Sequence, residues 1–281
     1  MNGILVVNKE KDCTSRDVVN DLVHIFHTKK IGHTGTLDPI ATGVLVCTFG
    51  KFTKLNLDLT SEYKEYVAEM KMGVKTDTID TEGEVLLEEK VTLSNEEITN
   101  AINSFKKTYM QEVPIYSAVK VDGKKLYEYA RENKEVELPK KEVTIKEIEV
   151  LSIINNIVKF RCLVSKGTYI RSLIRDIAQS LNTYAIMTSL NRTKQGKFDI
   201  ESSYTIDDIR NNNYKLLDLS DVLDLDIVDM SDKINKLVDN GVAITYTSNK
   251  PYILFKYNNE DIALYKLLDD NLYHMYIKIK D

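Results

Sequence analysis

The chain has 281 residues, 43% hydrophobic and 29% charged, with no Trp and a formal net charge of −5. That length buries a core without disulfides or metals, and the composition excludes a disordered, collagen-like or coiled-coil chain. Apolar runs such as Ile4-Leu5-Val6-Val7 are too short to span a bilayer, and three scattered cysteines with no C-x-x-C pair argue for a reduced, cytoplasmic setting.

Gly3 to Lys9 reads as a short buried strand, with no basic flank that would mark a signal peptide. Ser15 is the expected N-cap of a helix carrying Val18, Val19, Leu22, Val23 and Phe26 at helical spacing. Ile31 to Thr42 reads as a loop, and Gly43 to Phe49 and Tyr63 to Met72 as strands. Thr76 to Gly83 is polar and turn-rich. Ser94 with Glu97 forms a capping box before a helix ending near Phe105. Gly123 to Asn133 is a basic loop with a short helix. Val143 to Leu151 and Val158 to Val164 make a hairpin around Asn155-Asn156. Thr168 to Leu181 is helical, and Ala185 to Phe198 includes a strand. From about Asp226 a short helix, Lys233 to Val238, precedes strand-like runs at Tyr252–Tyr257, Ile262–Leu268 and Leu272–Ile279. The expected organisation is therefore a unit over 1–225 and a small β unit over 226–281.

The charge is uneven. Residues 199–281 hold 9 Lys/Arg against 16 Asp/Glu, whereas 159–197 hold 8 Lys/Arg and one acid, Asp176. A local positive stripe suits a polyanionic ligand better than the net charge implies, so 120–146 and 159–197 are expected to face one.

The most informative stretch is Gly32-His33-Thr34-Gly35-Thr36-Leu37-Asp38-Pro39-Ile40-Ala41-Thr42-Gly43-Val44-Leu45. Its glycines and proline prescribe backbone angles, and a single acid sits in the middle. It is neither a phosphate-cradling Walker loop nor a dinucleotide fingerprint. A lone Asp before Pro is ordinarily a turn former. Here the whole loop resembles the catalytic motif of the bacterial tRNA pseudouridine synthase B (TruB) family. Ser165-Lys166-Gly167-Thr168-Tyr169-Ile170-Arg171-Ser172-Leu173 resembles that family's downstream motif. Gly123-Lys124-Lys125-Leu126-Tyr127-Glu128-Tyr129-Ala130-Arg131 resembles its RNA-gripping insertion, about 117–146, and Gly73-Val74-Lys75-Thr76-Asp77-Thr78 also matches. The four segments are collinear from Gly3 to about Phe198. One departure is visible: the family's Asp-Lys-Pro-x-Gly is Asn8-Lys9-Glu10-Lys11-Asp12 here.

The resemblance implies an α+β (mixed α/β) fold: a pseudouridine synthase domain around an antiparallel or mixed sheet, with a small C-terminal β-rich domain of PUA type. It implies an isomerase that converts uridine-55 in the T-arm of tRNA to pseudouridine. That reaction breaks the N1–C1′ bond, turns the base and rejoins it through C5. No electrons enter or leave and no phosphate is activated, so no cofactor and no metal are expected. Asp38 is the implied catalytic carboxylate, able to add to ribose or base or to abstract a sugar proton. Arg171 is its implied guanidinium partner. Tyr66 is implied against the flipped base, His33 as the wedge left in the RNA, and Tyr169 and Leu190 in the uracil pocket. Lys9 supports the loop, and Lys120, Lys124, Lys125 and Arg131 grip the stem-loop. The implied partner is the tRNA T-arm, with no membrane, no obligatory protein partner and a monomeric chain. Two other readings share the fold: a tRNA folding module that needs no chemistry, and a guide-RNA-dependent relative, against which the acidic C-terminal region argues.

Overall fold

The computed structural model describes residues 1–60 and 63–280, with 232–235 described by backbone alone. Asp281, the last residue of the expected C-terminal unit, lies outside the described residues. The chain opens with β1 (Gly3–Lys9), then α1 (Ser15–Phe26), β2 (Ile31–His33), β3 (Ala41–Phe49) and a 3-10 turn over Gly50–Asn56. Next come β4 (Tyr63–Met72), the β5 (Val74–Thr76) and β6 (Val85–Glu88) ribbon, α2 (Asn95–Ser104) and β7 (Thr108–Glu112). A small hairpin of β8 (Lys120–Val121) and β9 (Lys124–Lys125) runs into α3 (Leu126–Arg131). β10 (Lys140–Ile154) and β11 (Ile157–Ser165) form a long hairpin, followed by α4 (Ile170–Ser180), β12 (Ala185–Gln195) and β13 (Phe198–Asp199). Short helices α5 (Ile206–Arg210) and α6 (Leu219–Val222) lead to β14 (Leu225–Asp229), α7 (Asp232–Asp239), β15 (Ile244–Thr245), β16 (Tyr252–Tyr257), β17 (Glu260–Asp269) and β18 (Leu272–Lys278).

Among the described residues nine strands form the main sheet, in the order β1-β3-β12-β4-β11-β10-β7, with β2 added to β3 and β13 to β12. The β3–β12 pair is parallel, so the sheet is mixed, as expected. β4 lies between β11 and β12. Its even-numbered residues Tyr66, Ala68, Met70 and Met72 enter one core with Ile98 and Ile102 of α2 and Ile170, Leu173, Ile174 and Ile177 of α4. Those α4 positions recur every three or four residues, the stripe a helix needs to seat on a sheet. Among the described residues no helix is long and apolar enough to cross a membrane.

Several local expectations hold in detail. The capping box at Ser94 and Glu97 closes, with Ser94 Oγ accepting from the Glu97 amide at 3.2 Å and Glu97 Oε2 accepting from the Ser94 amide at 2.8 Å. Asn155 and Asn156 turn the long hairpin at φ 49° and 64°, the left-handed pair a two-residue turn demands. Others are corrected. The cap of α1 is Thr14, boxed with Asp17, and not Ser15. Ser15 is inside the helix, where its hydroxyl accepts from the Leu37 amide at 2.9 Å and reaches the Leu37 carbonyl at 3.2 Å. Adjacent Thr and Ser suit the cap equally on chemistry, and tertiary contact decided between them. Helix α4 starts at Ile170, because Tyr169 remains extended ahead of it as the cap and the Thr168 amide closes a turn onto Ser165 O at 3.3 Å. Asp12 stands where the family motif has Gly, and it adopts φ 63° with its amide donating to Pro39 O at 3.0 Å. Asp is among the few residues that tolerate this region, so the turn survives the substitution.

The second sheet, in the order β14-β16-β17-β18-β15, begins at Leu225 and includes a parallel edge strand absent from the sequence reading. It shares a core with the main sheet: Tyr252, Leu254, Leu264 and Ile277 pack with Ile4, Val44, Val46, Phe52 and Leu55. At the junction Asp58 accepts from Tyr252 Oη at 2.9 Å, Tyr276 Oη at 2.5 Å and Lys266 Nζ at 2.5 Å, so one carboxylate ties three strands. Burial alone pushes the Asp58 carboxyl up, but its donors Lys266, Tyr276 and Tyr252 outweigh this and hold it below the ordinary value. A depressed carboxylate contributes stability that is present above its unfolded value and lost as pH falls through the folded one. Asp58→Ala should therefore cost about 2–3 kcal/mol at neutral pH. The gap in melting temperature from wild type should narrow below pH 3.8, the ordinary value from which the carboxyl is lowered. A gap that stays constant through acid would contradict the latch.

Candidate active site

The cavity that holds the chemistry-bearing residues is about 270 Å³ and opens beside the 34–40 loop between β2 and β3, a shorter loop than the Ile31–Thr42 expected, because both of its ends are strand. Its lining includes Asp38 from the loop, Tyr66 from β4, Leu190 from β12, and Tyr169 and Arg171 at the start of α4. These residues are up to 152 positions apart in sequence, from Asp38 to Leu190, and the sheet order brings them together.

The loop is held from beneath by donors to its carbonyls. Lys9 is fully buried, and its ammonium donates to Pro39 O at 3.2 Å, Ala41 O at 2.6 Å and Glu10 O at 2.8 Å. It is spent on backbone and does not reach the cavity. Arg192 is also fully buried, with Nη2 donating to Gly35 O at 3.0 Å and Nε to Val44 O at 2.7 Å. Neither cation has an ion-paired acid among the described residues, so both add positive potential under the loop. Gly43, at φ 102°, lies against Arg192: a Cβ there would stand 2.3 Å from the Arg192 carbonyl, so no other residue fits the parallel β3–β12 contact.

Asp38 projects from this loop with 37% of its side chain exposed, and Oδ2 accepts from Arg171 Nε at 3.0 Å. Arg171 is only 7% exposed. Its other nitrogens are also placed: Nη1 donates to Thr78 O at 3.1 Å and Nη2 to Tyr116 O at 3.1 Å, while Asp80 Oδ2 lies 3.7 Å from Nη1. The guanidinium is thus fixed by backbone on one side and presents Nε to Asp38 on the other, a use of the planar fork that an ammonium cannot copy. Asp80 is itself buried and oriented by Thr78 Oγ1 at 2.5 Å and the Glu82 amide at 3.0 Å.

Tyr66 pairs in register with Arg192 across β4 and β12. Burial pushes its phenol up, only partly offset by nearby Arg192, so it stays neutral in the physiological range. Tyr169 is positioned by Gln111, whose Oε1 accepts from the Tyr169 amide at 2.8 Å and whose Nε2 donates to its carbonyl at 3.2 Å. Leu190 is 6% exposed, opposite Ala41 and Ala68. His33 ends β2; burial lowers its value, Arg16 and Arg192 add to this, and its buried Nδ1 has no hydrogen-bond partner.

Asp80, Gln111 and Arg192 went unseen in the sequence. Asp80 sits in a turn-rich run where an acid reads as a turn former. Arg192 lies on a strand whose register shifts on either side, at Met187/Ser189 and Arg192/Lys194, which breaks the alternation that would have flagged an inward charge.

The basic surface differs from the sequence expectation. Much of 159–197 is neutralised by acids brought from elsewhere: Arg161 pairs with Glu65, Glu147 and Glu149, Lys159 with Glu69, Arg175 with Glu112 and Asp176, and Lys194 with Asp199. Arg171 and Arg192 are buried. The β8–β9 hairpin and α3 are different. Lys125 and Arg131 flank the Tyr127 ring, at 5.3 and 5.4 Å from its centroid, and Lys120 is exposed. Only Lys124 is ion-paired there, to Glu132 at 2.5 Å. An open groove of about 780 Å³ runs between Tyr116, Asp77 and residues 133–138, and Tyr116 lines both it and the smaller cavity.

A carboxylate fixed by a buried guanidinium, in a cavity of nucleoside size beside a cationic hairpin, defines an enzyme site on a mixed α/β fold. Comparison with known proteins agrees. Residues 23–170 match the model of the TruB family pseudouridylate synthase N-terminal domain. The chain is 39% identical to tRNA pseudouridine synthase B of Mesoplasma florum over 276 residues, 97% of this chain and 96% of that protein. It is 47% identical to the Fusobacterium nucleatum protein of the same name over 201 residues, 72% of this chain and 70% of that one. Among solved structures, a chain of a Cbf5-Nop10-Gar1 complex superposes with a TM-score of 0.69 at 24% identity, covering 99% of this chain and 84% of that chain, a likeness of fold. The chain belongs to the TruB family of pseudouridylate synthases and is an isomerase, with the expected PUA-like β-rich sheet at its C-terminal end.

Proposed function

We propose that the protein converts uridine-55 in the T-arm of tRNA to pseudouridine, with Asp38 as the central catalytic carboxylate. The observation that carries this is the 3.0 Å pair of Asp38 with Arg171 on the wall of the cavity lined by Tyr66, Tyr169 and Leu190. Relatives named tRNA pseudouridine synthase B supply the substrate class. A uridine inside a folded arm must leave its stack to reach the carboxylate. His33 serves as the wedge that fills the gap, and its lowered value keeps the ring neutral and suited to stacking at pH 7. Tyr66 covers the ring beside the C5 position, and Tyr169 and Leu190 close the pocket. Arg171 aims Asp38 through the Nε–Oδ2 pair at 3.0 Å. Lys9 positions the loop.

Pseudouridine formation replaces the C5–H bond with the C5–C1′ bond, so tRNA transcribed with C5-tritiated uridine should release tritium to water stoichiometrically with one site per tRNA. No release from a folded transcript would contradict the reaction.

The β8–β9 hairpin and α3 grip the RNA backbone through Lys120, Lys125 and Arg131. Lys124→Ala with Lys125→Ala should weaken binding and lower the log–log salt slope by about 0.7–0.9, one contact's worth, because Lys124 is already paired with Glu132. A slope unchanged from wild type would remove the hairpin from the RNA face.

A further inference from the structure

Lys64 is a cation of the cavity that the catalytic arrangement above leaves unused. It lies two residues before Tyr66 on β4, so both side chains point to the same face, and both line the cavity. Among the described residues Lys64 makes no ion pair or hydrogen bond. The neighbouring acid, Glu65, points to the opposite face, where Arg161 Nη1 lies 2.8 Å from it and Thr193 Oγ1 donates at 2.7 Å. The loop carbonyls nearby are already occupied, Gly35 and Thr36 by Arg192 and Leu37 by Ser15. Gly35 makes room for the ammonium: a Cβ there would stand 3.3 Å from Lys64 Nζ. Burial, with Arg192 adding to it, pushes Lys64 down to about 8. A half-buried lysine beside another cation, paired with no acid among the described residues, carries an unfavourable charge that an incoming anion would relieve.

We propose that Lys64 is an anion-binding residue of this site, its ammonium taking a phosphate oxygen of the RNA backbone next to the flipped uridine. The proposal rests on the reading of the cavity as the uridine site. Phosphate is favoured over the uracil oxygens by position. Lys64 is next to Gly35 near the start of β4, whereas the ring-covering Tyr66 is further along the strand and only 7% exposed. A phosphate contact here would hold the nucleotide in its extruded state, through a point charge that needs no fixed geometry.

The test measures binding of an unmodified T-arm stem-loop transcript against salt for Lys64, Lys64→Met and Lys64→Arg, all in the Asp38→Asn background so that no turnover intervenes. Single-turnover conversion at saturating RNA is measured for the same substitutions in the active enzyme. Lys64→Met should weaken binding roughly tenfold and lower the salt slope by about 0.7, and Lys64→Arg should restore both. The melting temperature of Lys64→Met should not fall below that of wild type, since an unpaired, half-buried charge has been removed. The saturated rate should fall by no more than the affinity does, because losing the contact lowers the extruded fraction and leaves the Asp38–Arg171 pair in place. Unchanged affinity and slope with slowed conversion would put Lys64 on the uracil and overturn the proposal. So would unchanged affinity and rate together, or a lower melting temperature with binding lost in both variants. A wild-type chain that binds but does not convert the RNA would overturn the isomerase reading alone, because the slopes still decide the phosphate contact.

Discussion

Asp38→Asn is expected to lower turnover by about 10⁴-fold or more while RNA affinity stays within a few-fold of wild type. Each tenfold is worth about 1.4 kcal/mol, so the loss corresponds to at least about 5.5 kcal/mol of barrier. The amide keeps the size of the carboxylate and can still accept from Arg171 Nε at the 3.0 Å position, so the loop should hold its place. It cannot serve as nucleophile or base. Affinity is separable because it comes from the hairpin cations and the base pocket. Folding is protected as well. Arg171 keeps its two carbonyl acceptors and Asp80, and Asp38 is 37% exposed, so the change strands no fully buried charge. The check is conversion and affinity measured on the same preparation; near-normal conversion would remove Asp38 from the chemistry.

Arg171→Lys should be nearly as damaging, despite conserving charge. The guanidinium serves Asp38, Thr78 O, Tyr116 O and Asp80 at once. A lysine has one nitrogen on a differently directed stem. If it reaches Asp38 it leaves the Thr78 and Tyr116 carbonyls without this donor, at about 1–3 kcal/mol for each buried acceptor left unsatisfied. If it stays with the carbonyls, Asp38 loses its aim. We expect turnover down by about 10²-fold or more, as for other removed electrostatic partners of a reacting group. Stability should fall by about 2–4 kcal/mol. Thermal melting and single-turnover rates read the two effects separately, and a variant with wild-type rate would show that the clamp is structural alone.

The sequence exposed what is local and withheld what depends on long-range register. Ser94 with Glu97, and Asn155 with Asn156, carry their own geometry in a few residues, and both appear as read. The period-two pattern of Tyr63–Met72 placed β4 to the residue. The Asp38 loop stood out because its glycines, proline and lone acid are contiguous. What positions Asp38 is scattered: Lys9, Ser15, Asp80 and Arg192 come from four elements or turns, and their donors and acceptors meet only after β3 pairs with β12 and α1 docks on the loop. Charge counting failed on 159–197 for the same reason. Arg161 reads as free cationic surface until strand pairing sets Glu65 and Glu149 beside it. The Asp58 latch was equally invisible, since its three donors lie 194 to 218 residues away.

The claim that this cavity is the site of a tRNA uridine isomerase is tested most directly by mapping pseudouridine, residue by residue, in an unmodified tRNA transcript incubated with the purified chain. The expected result is complete conversion at position 55 alone, none in a transcript carrying cytidine there, and none with Asp38→Asn. Tight binding of the transcript by the wild-type chain with no pseudouridine at any position would contradict it.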